Sequence, residues 1–212
     1  MTFKCCKDCI IDMICTNPCE KFNVEKLQLD DLSNFNKCLR LMKKYQNKKF
    51  RNGNISIEII SNSIMICMKG VRHRDDGPAF IRNNGYKAWY KNGKRHRDDG
   101  PAVIYSNGGK AWYKNGLYHR DDEPAIIYSD GSKEWYKNGL CHRDDGPAII
   151  RNNGSKVWYK NGKLHRDDGP AIIDTDGYKA WYKNGLCHRD DGPAVIFSNG
   201  SKEWYKNGVK IK

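Results

Sequence analysis

The chain has 212 residues, 38% apolar and 30% charged, with a mean hydropathy of −0.85, and no apolar run approaches the roughly 20 residues of a membrane-spanning helix, which excludes a helical membrane protein. Lys and Arg outnumber Asp and Glu 38 to 25, so the net charge of +13 and pI near 9.3 favour an anionic partner such as nucleic acid, phosphorylated lipid or an acidic protein. Cys5, Cys6, Asp8 and Asp12 stand where a secretory signal wants a basic segment and then an apolar one, so the expectation is an intracellular protein that is not secreted by a signal peptide.

Residues 1–48 read as a Cys-rich and helical N-terminal segment. CKDC supplies a CxxC and CTNPC a Cx3C, which makes Cys6, Cys9, Cys15 and Cys19 a candidate four-thiolate zinc site. The spacer between the pairs is short for such a site, and disulfides or plain reduced thiols are the alternatives. From Asp30 to about Lys49, Leu32, Phe35, Leu39, Met42 and Tyr45 recur at three- and four-residue steps, predicting an amphipathic helix. The helix is expected to end in the basic run Lys43, Lys44, Lys48, Lys49 and Arg51, a solvated face that suits a helix C-terminus, with a nucleic-acid contact as the alternative. Residues 49–72 contain two short Ile-rich runs around Ser61-Asn62, a degenerate hairpin placed to cap the open end of the repeats that begin at His73.

Residues 73–212 are a repeat array. All six histidines (His73, His96, His119, His142, His165, His188) and all six tryptophans recur every 23 residues, in units of the form HRDDGPAxIxxNGxKxWYKNGxx. Each unit holds two hairpin signals, such as Asp130-Gly131 and Asn138-Gly139, between segments rich in Val, Ile, Tyr and Trp, so the array is predicted to be all-β. HRDDGP reads as the turn between hairpins. Two-residue turns at both signals would set Val103 opposite Trp112 and Trp112 opposite His119, with Lys110, Trp112 and Lys114 on one face and Ala102, Ile104 and Tyr113 on the other. Cys141 and Cys187 fall two units apart, on the order of 20 Å at ordinary strand spacing. That is too far to bridge and points to free thiols in a reducing compartment.

The period and segments such as GYKAWYKNGKRH (85–96) and GSKEWYKNGLCH (131–142) resemble the MORN repeat. One departure matters: where the common pattern has Gly after His, this chain has Arg, followed by an Asp pair and GPA, or EPA at Glu123. The HRDDGPA form is similar to repeat arrays of large DNA viruses of amoebae and of some bacterial relatives. The resemblance implies stacked β-hairpins in an elongated sheet, serving as a scaffold or protein-interaction surface of a viral structural or host-interaction protein in host cytoplasm or virion. It implies no enzymatic activity.

The residues by themselves give the same expectation. HRDD lacks the Asn that a kinase catalytic loop requires, and no other nucleophile and base stand out from the periodic positions. Arg beside every Asp pair would compete with a metal, so Arg–Asp ladders between successive turns are expected. The candidate interaction face is the row Lys87, Trp89, Lys91, Lys110, Trp112, Lys114, Lys133, Trp135, Lys137, Lys156, Trp158, Lys160, Lys179, Trp181, Lys183, Lys202, Trp204 and Lys206. Such a row could track phosphates while bases stack, making nucleic acid or an anionic membrane surface the alternative partner to protein or self-assembly. Half-buried indoles covered by lysine stems are the structural explanation of the same row. Apart from zinc at the N-terminal cysteines, no cofactor is expected.

Overall fold

A computed structural model describes residues 39, 40, 42, 43, 46–52 and 54–212. These residues are nearly all β and fall into two compact units, Met1–Ser106 and Asn107–Lys212. The candidate zinc ligands Cys6, Cys9, Cys15 and Cys19, and the start of the predicted helix at Asp30, lie outside the described residues.

In the first unit Leu39, Arg40, Met42 and Lys43 are helical, and Met42 is buried. The helix does not reach Lys49. Asn47, at φ 58, turns the chain into strand β1 (Lys48–Asn52), which pairs antiparallel with β2 (Ile55–Ile60). Lys48, Lys49 and Arg51 are therefore strand residues, and Lys49 pairs with Glu58 across the ladder. A two-residue turn at Ser61-Asn62 leads into β3 (Ser63–Met68), and alternation turns Ile57, Ile59, Ile64 and Ile66 inward as a small aliphatic core. β4 (Val71–Arg72) folds back on the end of β3, and β5 (Phe80–Arg82) pairs with its start, Ile64 opposite Ile81. Backbone hydrogen bonds thus join the first repeat to this hairpin.

Each repeat then contributes four short strands. In the second unit, Ile126–Ile127 and Lys133–Glu134 form a hairpin in the main sheet, and Tyr136–Lys137 and Leu140–Cys141 form a separate ladder. Trp135 stands between the two. Its N–H donates to the Ala148 carbonyl of the next copy, and its carbonyl accepts from His142 N–H. The chain changes hydrogen-bonding partner at the indole, which breaks the alternation of faces that a continuous strand would impose. Ala88, Trp89 and Tyr90, three residues in a row, are all buried for this reason. The expected single face of Lys110, Trp112 and Lys114 does not form, because Lys110 and Lys114 belong to different ladders.

The two turn signals are not equivalent. At the second, Asn92, Asn115, Asn138, Asn161, Asn184 and Asn207 have φ near +50 and the following Gly is also positive, the type I′ turn that sets Tyr113 opposite Tyr118. Trp112 pairs with His119 as expected, with His119 N–H donating to the Trp112 carbonyl. At the first signal only Gly is positive, and the loop has three residues: Gly131 N–H donates to Tyr128 and Tyr128 N–H to Ser132. The added residue moves the register by one. Ile126 faces Glu134 rather than Trp135, and Phe80 faces Ala88 rather than Trp89, so the expected aliphatic partner of the indole is wrong by one position in these copies.

Candidate functional site

HRDDGPA is a closed hydrogen-bonding unit. In the copy at His142, Nε2 lies 3.2 Å from Asp144 and Nδ1 accepts from the backbone N–H of Asn161, tying the turn to the next Asn-Gly. Arg143 Nε donates to Asp145 at 2.9 Å, and its guanidinium lies 4.2 Å from the Trp135 ring centre. The pattern recurs with Arg97, Arg166 and Arg189 over Trp89, Trp158 and Trp181. Two expectations are corrected here. Five of the six indoles are covered by arginine rather than by lysine stems, Trp204 lying under Lys212, and the Arg–Asp pairs close within one turn, two residues apart, rather than between successive turns. A two-residue separation at a bend brings the side chains together at once, whereas neighbouring turns stand a full repeat apart. The Arg hydrogen bonds hold the Asp99, Asp145, Asp168 and Asp191 carboxyls below the usual range. Gly in HRDDG leaves room for this arginine: a Cβ at Gly77 would lie 2.8 Å from the Arg74 guanidinium carbon. Where Glu123 replaces that Gly, Arg120 pairs with Glu123 instead. Among the described residues no three His, Cys, Asp or Glu converge on a metal position.

The twelve lysines separate into two rows. Lys91 lies 3.9 Å from Asp98 and Lys206 3.7 Å from Asp190, while Lys160 and Lys183 both help to lower the Asp167 carboxyl, after its His165 partner. Lysines of this row are thus partly neutralised by the turns. The other row, Lys110, Lys133, Lys156, Lys179 and Lys202, is exposed and makes no ion pair among the described residues. Its members face isoleucines across the sheet, as Lys133 does Ile127 and Ile150.

A second face was not read from the sequence. The tyrosine after each Trp pairs with the residue before the next His, or before Ile211 in the last copy: Tyr90 with Arg95, Tyr113 with Tyr118, Tyr136 with Cys141, Tyr159 with Leu164, Tyr182 with Cys187 and Tyr205 with Lys210. The side chain at this position also reaches the tyrosine of the adjoining copy at Arg72 and Tyr118. Arg72 sits over Tyr90 at 5.3 Å, and Tyr118 lies 5.2 Å from Tyr136 as well as 4.3 Å from Tyr113. Where the partners are large, Tyr90 and Tyr113 are buried; beside Cys141 and Cys187, Tyr136, Tyr159, Tyr182 and Tyr205 are half-exposed. Burial and the nearby Glu134 push the Cys141 thiol up to about 12, and burial, with Glu134 second, raises the Tyr136 phenol. The sequence signal was available: against near-identical copies, the position before His runs Arg72, Arg95, Tyr118, Cys141, Leu164, Cys187, and its equivalent before Ile211 is Lys210.

The chain matches no protein-family model and no curated protein sequence. No helix of the described residues is long and apolar enough to cross a membrane.

Proposed function

We propose that the chain is a non-enzymatic, MORN-like repeat scaffold that binds protein partners through its tyrosine face. The carrying observation is the contrast between constant and varying positions. The turns, indoles and buried alanines repeat with the period, whereas the side chains between the tyrosines change from copy to copy and stay half-exposed in residues 136–205. Half-exposed tyrosines combine apolar area with a polar tip at low entropic cost, which suits protein recognition. The HRDDGPA form makes a viral structural or host-interaction protein the reading for its biological setting. The unpaired row Lys110 to Lys202 favours a second reading, contact with nucleic acid or an anionic membrane surface.

A photo-reactive phenylalanine placed at Tyr182, or separately at Lys156, in the full chain tests both readings in extract from the native source. Polypeptide adducts from position 182 that are absent from position 156 are the expected result. Nucleic-acid or lipid adducts from position 156, with none from 182, would overturn it.

A further inference from the structure

We infer that the notch formed by Glu134, Tyr136, Cys141 and Tyr159 receives the guanidinium of an arginine in a partner protein. The inference rests on the tyrosine face being a docking face and names the chemistry of what docks there. It comes from comparing copies of the same unit within one chain.

Glu134 and Glu203 are equivalent positions, and each accepts a hydrogen bond from the tyrosine two residues on: Tyr136 at 3.0 Å and Tyr205 at 2.9 Å. At Glu203 the chain supplies a cation. Lys210, opposite Tyr205 in the register, places Nζ 2.6 Å from the carboxylate. The residue in the same register position opposite Tyr136 is Cys141, several atoms shorter and neutral, and no cation of the described residues forms an ion pair with Glu134. The carboxylate is half-buried, so an unmatched charge there carries a desolvation cost that an incoming cation removes. Arg151, the basic side chain that acts electrostatically on Tyr159, does not reach Glu134 within ion-pair distance.

The first unit shows which cation the ring accepts. Arg72 lays its guanidinium over Tyr90 and donates from one terminal nitrogen to the Tyr90 hydroxyl at 3.3 Å. Tyr90 is the equivalent of Tyr136 and Tyr159, and it is buried under that arginine, whereas they stay half-open. A guanidinium offers a flat face for the phenol and a fork of donors for a carboxylate that already accepts one hydroxyl; an ammonium offers only the charge. The thiol of Cys141, kept protonated, adds no competing charge.

The test uses the full 15N-labelled chain titrated with a Gly-Ser peptide carrying one arginine, beside its lysine and citrulline analogues. Saturable shifts confined to the amides around 134–141 and 157–160 are expected with arginine, weaker with lysine and absent with citrulline. Glu134→Gln should weaken binding about tenfold, as loss of a charge-assisted hydrogen bond does. Cys141→Lys should abolish it by filling the notch, and this change is compatible with the fold because Lys210 occupies the same position. Glu203→Gln, remote from the notch, should leave it unchanged. Equal binding of citrulline, or undiminished binding to Cys141→Lys, overturns the inference. If either occurs while position 182 still cross-links to polypeptide, the arginine notch fails and the docking face stands.

Discussion

At the scale of single residues, the two Asn-Gly signals show how one dipeptide gives two backbones. In the three-residue loop, Asn84, Asn107, Asp130, Asn153, Asp176 and Asn199 each accept, through Oδ1, the N–H two residues on. That bond needs an acceptor and no positive φ, so Asp serves as well as Asn, and both occur. The second turn needs the left-handed conformation and has Asn in all six copies. Asn138→Gly should therefore change stability by less than about 0.5 kcal/mol, while Asn153→Gly should cost about 1–2 kcal/mol through the lost acceptor and added chain entropy. Urea unfolding of the two variants checks the contrast. The Asn and Asp mixture was visible in the sequence and already distinguished the turns; reading both as two-residue loops produced the one-residue register error. Ala79, Ala102, Ala125, Ala148, Ala171 and Ala194 are fully buried, and their carbonyls take the indole-bearing strand's N–H wherever a Trp precedes them by 13 residues, as Ala148 does for Trp135. Ala148→Leu should cost about 1–3 kcal/mol by overpacking, read as a lower thermal midpoint.

At the scale of elements, two-residue strands are too short to persist alone, and each depends on the HRDDGPA turn that fixes the next one. The turn is a charge-dependent clamp. Arg and His partners lower the Asp145, Asp167, Asp168, Asp190 and Asp191 carboxyls, so these groups hold protons less readily folded than unfolded. Their stabilisation is complete above the ordinary value of 3.8 and is lost as pH falls through the lower folded values. Unfolding followed by circular dichroism should show a loss of stability below about pH 4, and Asp145→Asn should reduce its slope only slightly, whereas Asp145→Asn, Asp168→Asn and Asp191→Asn together should reduce it clearly. The high carboxylate exposure and salt screening keep each pair's contribution small, so the slope comes from repetition. Because the turn uses its own arginine and histidine, chelator should leave the thermal midpoint of residues 71–212 unchanged; a fall would assign a metal to the Asp pairs. Successive Asn-Gly ladders also meet at Leu117 against Gly139 and Leu140 against Gly162, where an added Cβ would meet leucine at 3.2 and 3.3 Å. Gly139→Ala combines that crowding with a positive φ and should cost about 1–2 kcal/mol.

At the scale of the molecule, near-identical units make stability a sum of intrinsic and neighbour terms. Removing one period, residues 142–164, should leave a folded chain with a lower denaturant midpoint and the same spectrum. A non-cooperative transition would show that the second unit does not behave as an array. Charge is also unevenly spread: residues 107–212 hold 18 basic and 14 acidic side chains, so most of the net +13 lies in residues 1–106. Binding of a polyanion by the repeats should be weak, and any that occurs should be lost over a modest rise in salt.

The sequence by itself determined the period, the all-β class, the two-residue turn at the second Asn-Gly and the pairing of Trp with His, because these depend on spacing and on the conformations open to Asn-Gly. It also located the Ser61-Asn62 hairpin, through the aliphatic alternation on either side. The arginine over five of the six indoles, the pairing of His and Arg with Asp inside one turn, the change of partner at Trp, and the tyrosine face with its open notch at Cys141 were decided only by tertiary structure. Each of these joins groups from different copies or from a bend, and a period states which residues are equivalent without stating how far one copy is displaced and turned from the next. The same register sets Lys210 on Glu203 and, because Cys141 holds the equivalent position, leaves Glu134 without an ion-paired cation among the described residues.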